Sequence, residues 1–432
     1  MRTESSAPRR TACRTPWQGA LAGAVCTLAL WGQAWAEGPG WAGSVSQSLS
    51  HDSNLFRLPG GASPAPGASR SDTVSATALD LSLDQMLGRQ RLSGQVGLQA
   101  LRYRVHEEQN HEAAQGGLRL DWETAQRLSG QLRVAAARTL RPLDPAAAAA
   151  PNQRNLETDR EAVALVRLGG VGLLSLEGQL GARNVDYSAP AFDSAELSSR
   201  SALLGLRWRP SGVSTWGAAW RETRGHFPEA PAAAGPDDRY RSRSLDLWGA
   251  WIPSGAHRLY LRASPTRTRY DLRQERNFSG LTGAMAWQWT PRSPWRLTLR
   301  AVRDLGQDAY LERYGQDGTG AQALPGGHLD DGVVLTRWAV AAEKDVTAKV
   351  KVAATVATTQ RTLALAPGSA PGTPATSRSH DTTTQAALGL RWAPRRHTQL
   401  GCEAATERRQ ADGTLSTPYS VRTFSCLGRL AW

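Results

Sequence analysis

Short segments in which apolar and polar residues alternate recur along most of the chain. Among the last twelve residues, Phe424, Leu430 and Trp432 belong to one apolar set, and most residues between them are polar or small. A period of two residues predicts a β-strand with one apolar and one polar face, and a tilted strand of this length can cross a bilayer. Such strands also occur in soluble sheets. Elsewhere the alternation changes phase between Leu98 and Leu101, which predicts either a β-bulge or an error in the assignment of this strand.

The connections between these segments are of two kinds. Tight turns, such as 210–212 and 394–397, alternate with longer connections, such as 51–72 and 307–331, that are rich in Pro, Gly, Ala and Asp. Eight turns and nine longer loops give seventeen connections, and hence about eighteen strands. Short turns on one side and long loops on the other are typical of outer-membrane β-barrels, whose turns lie in the periplasm. An even number of strands places both ends of the barrel on the turn side.

Tryptophan is frequent and occurs where strands are predicted to end. The chain has 16 Trp and 5 Phe, and the pattern Leu-Gly-Leu-Arg-Trp ends at Trp208 and again at Trp392, each just before a turn. Trp favours membrane–water interfaces, so Trp at the same depth on several strands predicts an aromatic girdle. In a large soluble β-protein, Trp would instead be expected in mid-strand. The sequence therefore predicts an all-β fold, a transmembrane antiparallel up-and-down β-barrel of about eighteen strands.

The N-terminus predicts export. Arg9, Arg10 and Arg14 form a positive region before an uncharged apolar segment at 19–30, and Ala34-Trp35-Ala36 fits the small-x-small pattern of a cleavage site. These features are typical of a secretory signal peptide. We therefore expect residues 1–36 to be a cleaved signal peptide and residues 37–432 to form one β-barrel in the outer membrane of a Gram-negative bacterium.

Arginine dominates the charge of the chain. There are 51 Lys and Arg against 38 Asp and Glu, a net charge of +13. Such a surplus can indicate nucleic-acid binding, but an exported protein rarely meets nucleic acid, and we expect no such partner. Carboxylates that include Asp121, Asp246 and Glu403 are expected to pair with part of the positive charge.

The arginines that alternate with apolar residues are expected to face the barrel lumen. An Arg in the middle of a lipid-facing surface would cost about 2–4 kcal/mol. A barrel of this size holds a water channel, and luminal Arg would favour anions in it. The candidates for contact with an anionic solute or polymer are Arg133, Arg207, Arg296, Arg300 and Arg391.

The sequence shows no pattern typical of a catalytic or metal site. His106 and His111 are five positions apart, whereas the zinc-binding pattern of metalloproteases needs four, so we expect a solvated loop there. The pair Asp237-Asp238 is likewise expected to be solvated. The protein is thus predicted to be no enzyme and to need neither a metal nor another cofactor.

Two cysteines, Cys402 and Cys426, lie at nearly equal distances from the loop between the last two predicted strands. They are therefore expected to be cross-strand neighbours on the lipid-facing side. Both a disulfide and two reduced residues fit this position.

The segment after the first predicted strand is similar to a known family. His51-Asp-Ser-Asn-Leu-Phe-Arg-Leu-Pro59, a Gly- and Pro-rich gap and Ser71-Asp72 resemble the EpsL-type proteins of exopolysaccharide biosynthesis operons, a family of outer-membrane β-barrel porins. The residues that carry the resemblance are Asp52, Asn54, Leu55, Phe56, Arg57 and Asp72. It implies a channel in exopolysaccharide biosynthesis or export, with acidic polysaccharide or small anions as cargo and polysaccharide export proteins as partners. By themselves, Asp52 and Asn54 predict a polar turn, and Phe56 predicts an aromatic residue at the barrel rim.

The C-terminal strand is also similar to that of bacterial outer-membrane barrels, which end on a strand with a terminal aromatic residue. The resemblance implies that Phe424, Leu430 and Trp432 belong to the signal bound by the barrel-assembly machinery. It also implies that this strand closes on the first one.

Two other functions fit the same fold. A structural barrel that docks a polysaccharide export machinery would be plugged by the long loop 307–331. An outer-membrane hydrolase would need Ser, His and Asp residues or paired carboxylates that converge on one rim, which their spacing does not show. The favoured interpretation is passive passage of an anionic solute or polymer through an Arg-lined lumen.

Overall fold

The computed structural model describes residues 40–64, 69–124, 127–141, 153–169, 172–228, 237–292, 294–305, 332–365, 377–412 and 415–432. The strands among these residues are β1 (Trp41–Asp52), β2 (Asp72–Leu87), β3 (Gln90–Tyr103), β4 (His111–Glu123), β5 (Leu128–Leu140), β6 (Leu156–Leu168), β7 (Leu174–Tyr187), β8 (Leu197–Ser211), β9 (Ser214–Phe227), β10 (Asp238–Ser254), β11 (His257–Tyr270), β12 (Phe278–Trp289), β13 (Trp295–Asp304), β14 (Gly332–Asp345), β15 (Val350–Leu365), β16 (Ser377–Arg395), β17 (Thr398–Asp412) and β18 (Tyr419–Ala431). Short 3-10 helices span Glu107–Gln109, Pro190–Ala195 and Gln274–Arg276. No helix in this part of the chain is long and apolar enough to span a membrane.

The strands close into one antiparallel barrel. Each strand pairs with its neighbours along the chain, and β18 returns to pair with β1 from Ser44 opposite Ala431 to Asp52 opposite Thr423. Closure leaves no sheet edge exposed. The predicted all-β, antiparallel, up-and-down barrel of about eighteen strands is thereby confirmed. The predicted signal peptide, residues 1–36, and the loop 307–331 lie outside the described residues.

Trp432 completes the seam between β18 and β1. Its backbone N–H donates to the carbonyl oxygen of Gly43 at 2.9 Å, and the N–H of Gly43 donates to the carbonyl oxygen of Trp432 at 3.0 Å. A Cβ atom at position 43 would lie 2.6 Å from the indole ring of Trp432. Glycine is therefore the residue that lets the ring lie directly on the neighbouring strand.

Alternation along the strands separates an apolar outer face from a polar inner face. On β8, Leu204, Leu206 and Trp208 point outward and are 61%, 52% and 49% exposed. The inward Arg207, between two of them, is only 8% exposed. Exposed Leu, Val and Trp recur on strands all around the barrel. An apolar surface of this extent is unsuited to water and fits the hydrocarbon of a membrane.

Outward tryptophans form a girdle at the turn end of the barrel. Trp208, Trp251, Trp289 and Trp392 lie at the turn ends of β8, β10, β12 and β16, and all are exposed. Trp at this level anchors a barrel at the membrane interface. The closed barrel, its apolar outer face and the girdle are those of a protein of the Gram-negative outer membrane, with the turns in the periplasm.

The change of phase near Leu98 has a different cause from the predicted one. β3 pairs with β2 and β4 in continuous register, so the predicted bulge is wrong. Leu98 points outward, whereas Leu101 points inward and is buried with Tyr103 and Ala76 in an apolar cluster. The phase changes because the inner face becomes apolar near the loops.

Candidate functional site in the barrel lumen

Arginines and carboxylates pair across neighbouring strands on much of the inner surface. Glu177 on β7 accepts hydrogen bonds from Arg167 Nε at 2.9 Å and from Arg207 Nη1 at 3.3 Å. The predicted luminal residue Arg207 thus points inward but shares its charge with a carboxylate. Other ion pairs on the inner face include Arg183–Asp159, Arg221–Asp246, Arg262–Asp304 and Arg361–Asp381.

Two of the carboxylates expected to neutralise luminal arginines do so. Asp246 accepts a hydrogen bond from Arg221 Nη2 at 2.9 Å. Asp121 accepts one from Arg119 Nε at 2.8 Å. Glu403, the third, lies on the inward side of β17.

A different arrangement occurs on the wall formed by β13–β16. Glu343 on β14 accepts a hydrogen bond from Arg296 Nη1 at 3.1 Å. Arg391 and Lys351 also lie near enough to attract this carboxylate, and they are direct cross-strand neighbours. Glu343 is therefore shared by three cations.

Two more arginines continue this wall toward the loops. Arg300 lies opposite Ala339, and Arg337 lies opposite Val302, all on the inner faces of β13 and β14. Lys351 also pairs with Asp345, with Nζ 3.0 Å from Oδ1. Five cations and two carboxylates give this patch a formal charge of +3. The residues of this luminal cationic patch are Arg296, Arg300, Arg337, Lys351, Arg391, Glu343 and Asp345.

The predicted luminal arginines all point inward but do not form one site. Three of the five, Arg296, Arg300 and Arg391, belong to the patch. Arg133 on β5 lies opposite Arg119, and β5 is nine strands from β14 in a barrel of eighteen, on the opposite wall.

Sequence analysis missed four members of the patch. These are Arg337, Lys351, Glu343 and Asp345. Arg337 stands before the outward Trp338, and Lys351 stands between two Val residues. The same alternation that identified the other arginines was therefore present as a signal.

Toward the loops, the inner surface becomes aromatic. Arg273 lies over the ring of Phe227, with its guanidinium carbon 4.1 Å from the ring centre. Arg141 lies over Phe192 in the same way at 4.4 Å. These contacts hold loop residues against the inner wall at the mouth. The buried residues of this cluster are Val185, Tyr187, Leu197, Phe227, Tyr240 and Tyr270.

Three hairpins on the loop side share a common arrangement. The strands β3, β7 and β11 are each followed by a 3-10 helix, and their last residues are Tyr103, Tyr187 and Tyr270. The N–H of Tyr103 donates to Asn110 Oδ1 at 2.6 Å, and the N–H of Tyr270 donates to Asn277 Oδ1 at 2.8 Å. The sequence signal for this arrangement is the spacing of seven residues between Tyr and Asn, which is the same in two of the hairpins.

The motif residues form a buried network where the first loop meets the barrel. Asp52 accepts hydrogen bonds from the N–H of Asn54 at 2.7 Å and from Arg57 Nη1 at 2.9 Å. Asn54 Nδ2 donates to the carbonyl oxygen of Ser420 on β18 at 3.1 Å. Burial opposes the charge of Arg57, but the carboxylates of Asp52 and Glu407 outweigh it and raise the pKa of the guanidinium.

The other motif residues anchor the same loop. Asp72 accepts hydrogen bonds from four backbone N–H groups, and Leu55 packs against the apolar cluster around Leu101. Phe56 is buried and packs edge-on against His106, with ring centres 4.7 Å apart. Phe56 thus lies inside the mouth rather than on an exposed rim. The turn expected at Asp52 is present but buried.

Polar residues near the loops that were expected to be solvated are buried instead. His106 Nε2 lies 2.8 Å from the carbonyl oxygen of Ser69, and His111 Nδ1 lies 2.8 Å from that of Gln109. Asp238 is fully buried and accepts a hydrogen bond from an Arg side chain at 2.6 Å. The expectation failed because these loops fold against the wall and bring hydrogen-bond partners with them. Among the described residues, no group of three or more His, Cys, Asp or Glu is placed to hold a metal ion.

Cys402 and Cys426 lie directly opposite each other on β17 and β18. The sequence left a disulfide and two reduced residues open, and in the structure the two sulfur atoms are bonded. The bond joins the last two strands of the barrel.

Comparison with solved structures returns outer-membrane proteins. The match to the outer membrane protein opdK from Pseudomonas aeruginosa covers 91% of this chain and 99% of the opdK chain, at 11% identity and a TM-score of 0.44. The match to OccK2 (OpdF) of the same species, in complex with glucuronate, covers 90% of this chain and 98% of the OccK2 chain, at 13% identity and a TM-score of 0.46. The match to OccAB3 of Acinetobacter baumannii covers 91% of this chain and 98% of the OccAB3 chain, at 11% identity and a TM-score of 0.45. No property of these proteins transfers to this chain at such similarity.

No protein-family model matches the sequence, and no curated protein matches it either. The resemblance to EpsL-type proteins therefore stays a prediction. What the lumen can do has to follow from its own residues.

Proposed function

We propose that the protein is an outer-membrane channel through which anionic solutes pass passively. The luminal cationic patch carries the proposal, because it concentrates a formal charge of +3 on one wall. Other parts of the inner face hold Arg–carboxylate pairs that balance locally. A barrel of this strand number is wide enough for an aqueous channel.

Selection by such a channel rests on size and on electrostatic attraction. Guanidinium groups bind carboxylates and phosphates through paired hydrogen bonds. A cleft lined by one sign of charge raises the local concentration of the opposite ion. Because salt screens charges beyond about 8 Å, the patch acts on solutes that pass close to β13–β16. No covalent step and no cofactor enters this mechanism.

The finer part of the proposal is that the cargo is an acidic exopolysaccharide. Its support is the EpsL-type resemblance of residues 52–57 and 72, together with the ability of guanidinium groups to bind sugar carboxylates. The motif residues would act by shaping the mouth, since they are buried in the anchored first loop. The barrel-assembly machinery and polysaccharide export proteins would be its partners, with outer-membrane lipid around it.

Reversal potentials in planar bilayers under a salt gradient test the channel. We expect the parent protein to prefer anions. Arg296→Ser with Arg300→Ser removes two positive charges and should weaken this preference, whereas Glu343→Gln removes the shared carboxylate and should strengthen it. Arg408→Ser with Arg422→Ser is the matched control, because these two arginines point outward.

Each outcome has a distinct meaning. Cation preference in the parent, or equal effects of the luminal and control pairs, would contradict the proposal. Absence of conductance would favour a structural barrel instead. Liposome swelling with acidic and neutral oligosaccharides of equal size then tests the cargo: equal rates would exclude charge selection of polysaccharide.

A further inference from the structure

Arginines are concentrated on the outer surface of four neighbouring strands, β8–β11, on the loop side. All of them point outward and are exposed, and the side chains of Arg224 and Arg239 are 69% and 71% exposed. Outward charges are unusual on a membrane barrel and call for a reason. The residues of this outer arginine band are Arg200, Arg224, Arg239, Arg241, Arg243, Arg267 and Arg269.

The strand register places these arginines directly beside one another. Arg200 lies opposite Arg224, and Arg224 lies opposite Arg241. Arg241 in turn lies opposite Arg269. With strands about 4.8 Å apart, this row of four spans about 14 Å. Like charges directly opposite each other are destabilising, so the row favours a bound anion with several charges.

Carboxylates on the same surface neutralise only part of the band. Glu222 accepts hydrogen bonds from Arg224 at 2.7 Å, Arg241 at 2.6 Å and Arg243 at 3.2 Å. Asp237 pairs with Arg239. The exposed Asp271 lies beside Arg239, to whose carbonyl oxygen its N–H donates at 2.9 Å. Seven arginines and these three carboxylates leave a formal charge of +4.

The band begins where the apolar outer face ends. On β10 the outward positions change from Arg243 to Leu245, which lies opposite the outward Trp220 of β9. From Trp251 in the girdle to Arg243 is eight residues. At about 3.3 Å per residue and a tilt near 40°, this is about 20 Å along the barrel axis, close to the ~25 Å height of the apolar band. The arginines therefore lie at the level of the lipid headgroups of the outer leaflet.

Outward arginines at the same level on another side of the barrel stand singly. On β16, Thr384 lies eight residues from Trp392 toward the loops, and the next outward residue is Thr382. The outward Arg408 of β17 lies between Thr384 and Ser420 of β18, and the outward Gln360 of β15 lies opposite Thr382. The row of directly adjacent arginines is thus a feature of β8–β11 that this side of the barrel lacks.

We infer that the outer arginine band binds a multiply phosphorylated lipid headgroup of the outer leaflet. Guanidinium groups form paired, charge-assisted hydrogen bonds with phosphate. A lipid with more than one phosphate matches both the spread of the row and its depth. A second copy of this chain is a poor occupant, because contact across a two-fold axis would place two bands of charge +4 against each other. The inference rests on the placement of the barrel in the membrane and is independent of conductance.

Lipid titration of the full mature protein in detergent, followed by native mass spectrometry, tests this. The probe is lipopolysaccharide with its lipid phosphates, compared with a dephosphorylated form and with inorganic pyrophosphate. The triple change Arg224→Ser, Arg241→Ser and Arg269→Ser should weaken binding about tenfold or more, because it removes charge-assisted hydrogen bonds. The control is Arg102→Ser, Arg408→Ser and Arg422→Ser, which changes outward arginines on other strands and should bind like the parent.

Several results would overturn the inference. They are equal affinity of the band and control variants, equal binding of the dephosphorylated lipid, and displacement by equimolar pyrophosphate. Heat-modified gel mobility checks that each variant is folded. If the serine variant fails to fold, a variant with lysine at the same three positions replaces it in the binding measurement. We expect this lysine variant to bind the lipid severalfold more weakly than the parent, and unchanged binding would refute the inference. Anion selectivity should be the same in the band variant and the parent, so the failure of one proposal is distinguishable from that of the other.

Discussion

Replacing Asp72 with Ala would remove an acceptor on which four backbone groups converge. The carboxylate is only 2% exposed, so water does not replace it while the loop is closed. It joins the start of β2 to the hairpin after β3, and it belongs to the motif that resembles the EpsL-type proteins. The N–H groups that donate to it, at 2.6–3.2 Å, are those of Thr73, Arg104, Val105 and His106.

The magnitude follows from these contacts. A hydrogen bond to a charged group contributes about 1.5–3 kcal/mol, and a buried donor left without a partner costs about 1–3 kcal/mol. Three of the four donors belong to a loop that can open locally to water, which limits the loss. We therefore expect the hairpin at residues 104–110 to lose about 3 kcal/mol of local stability, while the barrel stays closed.

Hydrogen exchange measured by mass spectrometry in detergent is the suitable assay. A loss of this size corresponds to about 100-fold faster exchange of the amides of Val105 and His106. The N–H of Arg104 keeps the carbonyl oxygen of Thr73 as a second acceptor, at 3.1 Å, and should change less. Asp72→Asn keeps one carbonyl acceptor, so its amide exchange rates should lie between those of Asp72→Ala and those of the parent. Asp80→Asn, on the same strand but away from this network, is the control. Unchanged exchange in Asp72→Ala, or equal acceleration in the control, would refute a role for this carboxylate in holding the loop.

Four further predictions concern the seam and the last two strands. The leucine of Gly43→Leu should clash with the Trp432 ring and destabilise the closed barrel by about 1–3 kcal/mol. This loss should lower the temperature at which the protein changes its mobility in a heat-modified gel shift, and an unchanged temperature would contradict the observed contact. Trp432→Ala should lower the fraction of protein assembled in the membrane, measured by protease resistance of intact cells, and an undiminished fraction would exclude it from the assembly signal. Unreduced protein should not take up a thiol label at Cys402 and Cys426 until it is reduced, and labelling without reductant would show that the bond is absent. Reduction should destabilise the barrel by about 2–4 kcal/mol, measured by urea unfolding in detergent.

The inner or outer position of a residue could be predicted where hydrocarbon surrounds the barrel. There, an Arg is excluded from the lipid face, and Arg207 and Arg296 were assigned correctly to the inner face. The same rule fails above the hydrocarbon, because Arg241 and Arg243 alternate with Ser yet point outward. It also fails near the loops, where Leu101 faces inward because folded loops cover it.

The sequence by itself determined that the chain forms a barrel of about eighteen strands with an apolar exterior, because alternation and turn spacing are local properties of each strand. Only the tertiary structure decided which charges meet. Arg296 reaches Glu343 across 47 positions of sequence, and Arg133 lies on the opposite wall from both. Pairing depends on strand register and on position around the circumference, and neither is encoded in the alternation of a single strand.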